Sequence, residues 1–170
     1  MTSASSAPSG WTGWLETLSE ADRARALALR DRFAGLGAEH PEEEARLEVG
    51  EDIPQLARFL LLRHIWEYAI NSLERPGEID GIPAARRLLD AGADRADVVT
   101  LARRAACDAA FAVLYALDVP NHDLDDDSLP EWSLHETTGD TEEPGRHMDD
   151  LHAELLSADP SGRQAEDLLF

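Results

Sequence analysis

Three histidines and the carboxylates around them are the residues of this chain whose types could do chemistry. His135, His147 and His152, with Asp149 and Asp150 between the last two, offer imidazole and carboxylate, ligand types that suit zinc and related divalent metals. Their spacing works against a ready site. Residues five apart stand about 140° from each other on an α-helix, so His147 and His152 share no helical face. A metal-dependent enzyme or sensor would need His147 on a strand and His152 on the following helix to fold toward each other, with His135 on the paired strand and Asp149 adding a carboxylate. Histidines dispersed over a polar surface are the simpler expectation. These four residues therefore stand as metal candidates only, and no cofactor is expected.

Asp123, Asp125 and Asp127 occupy the first three liganding positions of a calcium loop. The match then breaks: Ser128 stands where the loop needs Gly for its sharp turn, and Leu134 stands where a bidentate Glu closes the cage. The segment reads as a solvated acidic loop. His64, beside Arg63 and Trp66, has only Glu67 as a neighbouring carboxylate, so it reads as a helix-surface histidine without a nucleophile to activate. Cys107 sits among Ala105, Ala106, Ala109 and Ala110. A reactive thiolate needs a cationic or helix-N-terminal setting, so Cys107 is expected to be a small core residue. The chain carries no Gly-rich phosphate loop, no serine nucleophile elbow and no CxxC pair, and no catalytic residue is assigned.

Charge carries more information than any motif. The formal net charge is −20, and all fifteen cationic residues are Arg. From Met1 to Ala38 four acids balance four arginines, and from Ile53 to Leu117 eight balance eight. The excess lies in Glu39–Asp52, with seven acids against Arg46, and in Asp118–Phe170, with sixteen acids against Arg146 and Arg163. Such acidity repels phosphate backbones and anionic lipid surfaces. It suits a basic protein partner, for which Glu42, Glu43, Glu44, Asp123, Asp125, Asp126 and Asp127 are the candidate contact residues.

Helices must position these groups. A first helix is expected from about Leu15 to Leu36, with Ser19 and Asp22 able to cap its regular part. Glu39–Gly50 reads as an acidic loop with room for a helical turn over Glu42–Leu47 after Pro41. Asp52, Pro54 and Gln55 form a helix start, and Leu56, Phe59, Leu60, Trp66, Ile70 and Leu73 continue at helical spacing up to Pro76-Gly77. Pro83 opens a short helix closed by Gly92, and Asp94 with Asp97 opens a long one over about Arg95–Leu117. Because that long helix is apolar on every side in its second half, apart from Asp108, it is expected to run through the middle of a bundle. Its longest apolar run, Ala105–Leu117, falls short of the roughly 20 residues that span a bilayer.

After Leu117 the pattern changes. Residues 118–130 form an acidic loop. Glu131–Thr137 alternates as a strand does, Gly139-Asp140 offers a turn, and Gly145–Met148 a returning strand. A terminal helix carrying Leu151, Leu155 and Leu156 then starts at Asp149 or Asp150; Asp159-Pro160-Ser161-Gly162 reads as a turn, and Ser161 with Gln164 is able to cap a last turn ending in Leu168, Leu169 and Phe170. Trp132, Leu168, Leu169 and Phe170 must dock or lie exposed, and docking is expected. The first ten residues, rich in Ser, Ala and Pro, read as a disordered tail rather than a signal peptide.

The expected fold is thus mostly α: a single-domain bundle of four to five helices over residues 11–170, with a small C-terminal β-hairpin and terminal helix. Expected core positions are Leu29, Phe33, Phe59, Leu60, Trp66, Ile70, Leu88, Leu101, Phe111, Leu114 and Leu117. The expected function is that of a cytosolic, non-enzymatic acidic binding protein, for instance an immunity or inhibitor protein for a basic partner. The alternatives are the metal-dependent reading and an acidity that serves solubility alone. The single cysteine points to a reducing compartment.

Overall fold

The computed structural model describes residues 10–120, 128–137 and 143–169. Every regular element among them is helical, and no helix is long and apolar enough to cross a membrane. Residue contacts divide the chain into two compact units, Met1–Leu56 and Ala57–Phe170. The expected N-terminal tail lies outside the described residues, apart from Gly10.

The first unit holds α1 (Trp11–Thr17), α2 (Glu20–Gly35) and α3 (Pro41–Gly50). The single helix expected over 15–36 is in fact two, because Leu18 is extended and Ser19 starts a new helix. The Ser19 hydroxyl accepts from the Asp22 N–H at 3.1 Å and donates to the Asp22 carboxylate at 2.7 Å, satisfying a donor that the helix start leaves free. Phe33, Ala26, Ala45 and Leu15 form the buried apolar positions here.

The expected acidic loop over 39–50 is instead the full helix α3. Pro41 fits its first turn without loss of a hydrogen bond, and Glu42, Glu43 and Glu44 face the positive end of the helix dipole. Negative charge that suggested a loop therefore favours a helix at this position. Glu48 of α3 is buried; it accepts the Leu56 N–H at 2.7 Å and lies 3.7 Å from Arg25. That bond satisfies an early amide of α4 (Gln55–Ile65). Asp52, expected to cap this helix, stands in the left-handed region at φ 55°.

In the second unit the chain leaves α4 through a π-helical turn, Trp66–Ile70, and a 3-10 turn, Asn71–Glu74. Residues four apart on an α-helix drift about 40° around its axis, and the wider turn offsets that drift. Leu62, Trp66 and Ile70 consequently all reach the same core. Short helices α5 (Glu78–Gly81) and α6 (Pro83–Asp90) follow. Gly92 closes α6 at φ 93°, where the Ala93 N–H reaches the Leu88 carbonyl at 3.0 Å and the Gly92 N–H reaches Leu89 at 2.9 Å, the paired bonds of a Schellman ending. The long α7 (Arg95–Asp118) starts at Asp94, whose carboxylate accepts from the Ala96 N–H. Two single turns, α8 (Leu151–Glu154) and α9 (Glu166–Leu169), stand on either side of the turn expected at Asp159–Gly162, and α8 is shorter than the helix expected to carry Leu151, Leu155 and Leu156. Left-handed Gln164 and Ala165, and the turn organised by buried Asp159, separate them.

The main core joins Leu62, Trp66 and Ile70 to Cys107 and Leu114 of α7, and to Met148, Leu151, Leu155, Ala165 and Leu168 from the last third of the chain. Leu168 thus docks as expected, whereas Trp132 is exposed and only its indole N–H is engaged, donating to the Ala116 carbonyl at 2.7 Å; Phe170 lies outside the described residues. The Trp66 indole is fully buried and donates to the Leu155 carbonyl at 2.7 Å.

Several expected core positions are not core. Leu60, Leu88, Leu101 and Phe111 are exposed, and Leu29, Phe59 and Leu117 are half-buried. The reason is sharpest in α7. It does not run through the middle of the unit: Arg103, Cys107 and Leu114 are buried, while Leu101, Ala105, Ala109, Ala112 and Val113 lie open to solvent. A helix that is apolar all round carries no polar stripe to mark its outer face.

The β-hairpin is likewise not formed as strands. Residues 131–137 and 143–148 meet in one isolated antiparallel bridge, His135 to His147. Three backbone bonds flank it: Glu136 N–H to Arg146, Gly145 N–H to Glu136, and Met148 N–H to Leu134. Pro144 offers no N–H to extend the ladder, and the chain turns away at left-handed Asp150. The turn expected at Gly139-Asp140 is outside the described residues.

Trp66→Phe tests how this core is held. It keeps the ring and leaves the buried Leu155 carbonyl without its donor, so the urea midpoint should fall by the equivalent of about 1–3 kcal/mol.

Candidate functional site

The first unit carries a cleft of about 700 Å³ between its helices, within the roughly 300–1,000 Å³ of small-ligand pockets. Trp11 of α1, Arg30 of α2, and Glu42, Glu43, Arg46 and Leu47 of α3 line it, with Glu39, His40 and Pro41 at the start of α3 and Glu51 just past its end. Trp11 packs against Trp14 with ring centroids 5.2 Å apart. Its indole N–H is buried and has no acceptor among the described residues.

The charges around the cleft are not equally engaged. Arg30 is bound by Asp31, with Nε to Oδ1 at 2.9 Å and the terminal nitrogen at 2.7 Å. The Arg46 guanidinium lies over Trp14, 5.7 Å from the ring centroid. Glu39 stands 3.9 Å from His40. Glu42, Glu43 and Glu51 are exposed and have no cationic partner among the described residues. Of the contact candidates read from sequence, then, Glu42 and Glu43 rim this cleft. Glu44 differs: it is half-buried and accepts from Gln55 Nε2 at 2.9 Å, a structural role. Asp123, Asp125, Asp126 and Asp127, and with them the partial calcium-loop match, lie outside the described residues.

The histidines of the second unit part company. His135 uses both ring nitrogens: Nδ1 lies 2.9 Å from the Gly145 carbonyl and Nε2 lies 3.0 Å from the Ser133 hydroxyl. Donation to the carbonyl fixes the proton on Nδ1 and leaves Nε2 to accept from the serine. His147 crosses the bridge from it, with ring centroids 5.3 Å apart, and stands 3.9 Å from Asp149. His152 goes elsewhere: its Nδ1 and its backbone N–H both meet Oδ2 of buried Asp118, and its ring edges meet Phe111 and Tyr115. Among the described residues no three of His, Cys, Asp and Glu gather as a metal-ligand group. His64 is exposed and packs on Tyr68, 4.3 Å between centroids. Cys107 is buried, and burial pushes its thiol above the ordinary range, the opposite of what a nucleophile needs.

Some acids of the last third are spent on the fold. Buried Arg103 meets Asp167 at 2.6 Å, Glu74 at 2.8 Å and Oδ1 of the Asn71 side-chain amide at 2.9 Å. Buried Arg58 meets Glu154 at 2.7 Å, and Arg146 pairs across the bridge with Glu136. Burial raises Asp167, but the Arg103 hydrogen bond and charge outweigh it, and its carboxyl is held below the usual range. For Glu154 burial prevails over Arg58, with Asp150 and Asp149 adding to it, and the carboxyl is raised.

These two shifts act in opposite directions on stability. Asp167, depressed in the folded state, contributes stability that is present above about pH 4 and is lost as pH falls through its folded value. Glu154, raised, takes up a proton in the folded state first, so acidification from neutrality toward about pH 4.5 favours folding through this group. Unfolding curves over a pH series should show wild type more stable than Asp167→Asn at pH 6, with the gap closing in strong acid.

Gly145 offers a second check. A Cβ there would stand 2.6 Å from the Glu136 carbonyl oxygen and 2.7 Å from Glu136 Cγ. Gly145→Ala should cost about 1–3 kcal/mol in thermal unfolding as the bridge is forced apart.

Comparison with protein-family models, with curated proteins and with solved structures finds no match to this chain.

Proposed function

We propose that the protein is a non-enzymatic binding protein whose α3 surface receives a basic protein partner, in the manner of an inhibitor or immunity protein. One observation carries this reading: Glu42, Glu43 and Glu51 stand exposed around a cleft with no cationic partner among the described residues. In the second unit a few acids are matched with arginine, by Arg58, Arg103 and Arg146, while others such as Glu78, Glu131 and Glu166 are exposed. The number of acids in the first turn of α3 is already explained by the helix dipole. Concentrated negative charge of this kind speeds encounter with a positively charged surface and excludes anionic competitors. We place the encounter in the cytosol, on the strength of the single cysteine, Cys107.

The test is kinetic. A partner recovered by cross-linking in the native cell should be basic, and its association rate should fall steeply between 0.1 M and 1 M salt, where the Debye length shrinks from roughly 10 Å to about 3 Å. Glu42→Gln with Glu43→Gln should slow association severalfold and leave dissociation nearly unchanged, as loss of steering charge does. An association rate indifferent to salt and to both substitutions would overturn the proposal.

A further inference from the structure

Ser133 and His135, in the second unit, are arranged for chemistry that a binding role does not use. We propose that Ser133 is an activated nucleophile that takes an acyl group from a reactive ester, with His135 as its base. The proposal goes beyond the reading of α3 as a docking surface and shares no residue with it. It asks for one covalent event per chain, not for turnover, so the two stand or fall separately.

A serine hydroxyl is a weak nucleophile until a neighbouring base takes its proton, and that base must itself be oriented by a third group. Both conditions are met at the His135–His147 bridge. His135 Nδ1 lies 2.9 Å from the Gly145 carbonyl, an oxygen that only accepts, so the ring proton sits on Nδ1 and Nε2 keeps its lone pair. That nitrogen lies 3.0 Å from the Ser133 hydroxyl, within the reach of a general base. The Gly145 carbonyl thus holds the place that a carboxylate takes in a serine–histidine–aspartate set.

The frame around the pair is fixed. Leu134, between the two side chains in sequence, accepts the Met148 N–H at 2.8 Å, and the Gly145 N–H donates to the Glu136 carbonyl at 3.0 Å. A Cβ at position 145 would stand 2.6 Å from that carbonyl oxygen, so the close approach that brings the orienting carbonyl to His135 requires glycine. Glu136 and Arg146 pair across the same bridge. Ser133 is exposed and His135 half-buried, which opens the hydroxyl to a reagent while holding its base in place. In the step, Ser133 Oγ attacks the ester carbonyl carbon and a new O–C bond forms as the hydroxyl proton passes to His135 Nε2. The bond to the leaving oxygen breaks, that oxygen departs with the electron pair, and the imidazolium gives a proton to it. The products are an acyl-serine and a free alcohol or phenol. A donor with a good leaving group, such as a phenyl ester, is the class that this pair opens.

Treatment of the full chain with p-nitrophenyl acetate at neutral pH tests the pair, with the reaction quenched in acid and the acetyl group located by peptide mass spectrometry. The chain has no Lys, so reaction at amines is confined to the N-terminus. Acetyl should accumulate on Ser133 about 100-fold faster in the folded protein than on the same serine in the urea-unfolded chain, the lower end of what a positioned base contributes. His135→Gln should bring the folded rate down to the unfolded one. Ser133→Ala, at an exposed position, should leave thermal unfolding unchanged and remove the fast release of nitrophenolate. Equal rates in the folded and unfolded chain, acetyl on His135 with none on Ser133, or a Ser133 rate that ignores His135→Gln would each overturn the proposal. The first comparison needs only the wild-type protein, so it decides even where His135→Gln disturbs the bridge.

Discussion

Burying a guanidinium costs several kcal/mol unless its charge and its donors are met, and the second unit buries two. Arg58 and Arg103 are each about 95% removed from solvent, and both are answered from the last third of the chain, by Glu154 and Asp167. The same last third supplies half of the main apolar core and the carbonyl that accepts from Trp66. Apolar burial drives this docking and the charge pairs fix its register. Without the last third Arg103 would keep Glu74 and lose Asp167, and Arg58 would lose the one carboxylate it meets among the described residues, so a displaced arrangement of the terminal turns is disfavoured. The short α8 and α9, too small to persist alone, depend on this anchoring.

The uneven charge of the sequence takes on a different meaning in this light. Five of the sixteen acids in the last third do internal work: Glu136, Glu154 and Asp167 hold arginines, Asp118 holds His152, and buried Asp159 organises the Ser161–Ala165 turn. The acid of α3 divides. Glu44 and Glu48 turn inward to hold Gln55 and the Leu56 amide, while Glu42 and Glu43 face water. Sequence counts the charges; only the packing says which of them have been consumed.

Legibility followed the locality of each signal. Caps and glycine endings at Ser19, Asp94 and Gly92 depend on neighbours within four residues, and they stand where the sequence puts them. The helix identity of α3 was hidden because a run of glutamates marks a solvated loop and a well-started helix equally well; Pro41 was the deciding signal. Nothing local announces the π-helical turn at Trp66–Ile70, whose cause is the alignment of three side chains on a distant segment. The inner face of α7 was unreadable for want of polar residues on its outer one. Of the cleft, Glu42 and Glu43 were within reach of sequence, whereas Trp11 and Glu51 join them only through the packing of α1 and α3. The Asp118–His152 pair spans 34 residues and has no local trace.

Cys107 gives the molecule a clock of its own. Its sulfur lies in the layer where α7 meets the terminal turns, and the raised thiol is slow to ionise even when reached. An alkylating reagent must therefore wait for that layer to part, so the rate at which this one atom is modified counts how often the last third lifts away from the helices it closes.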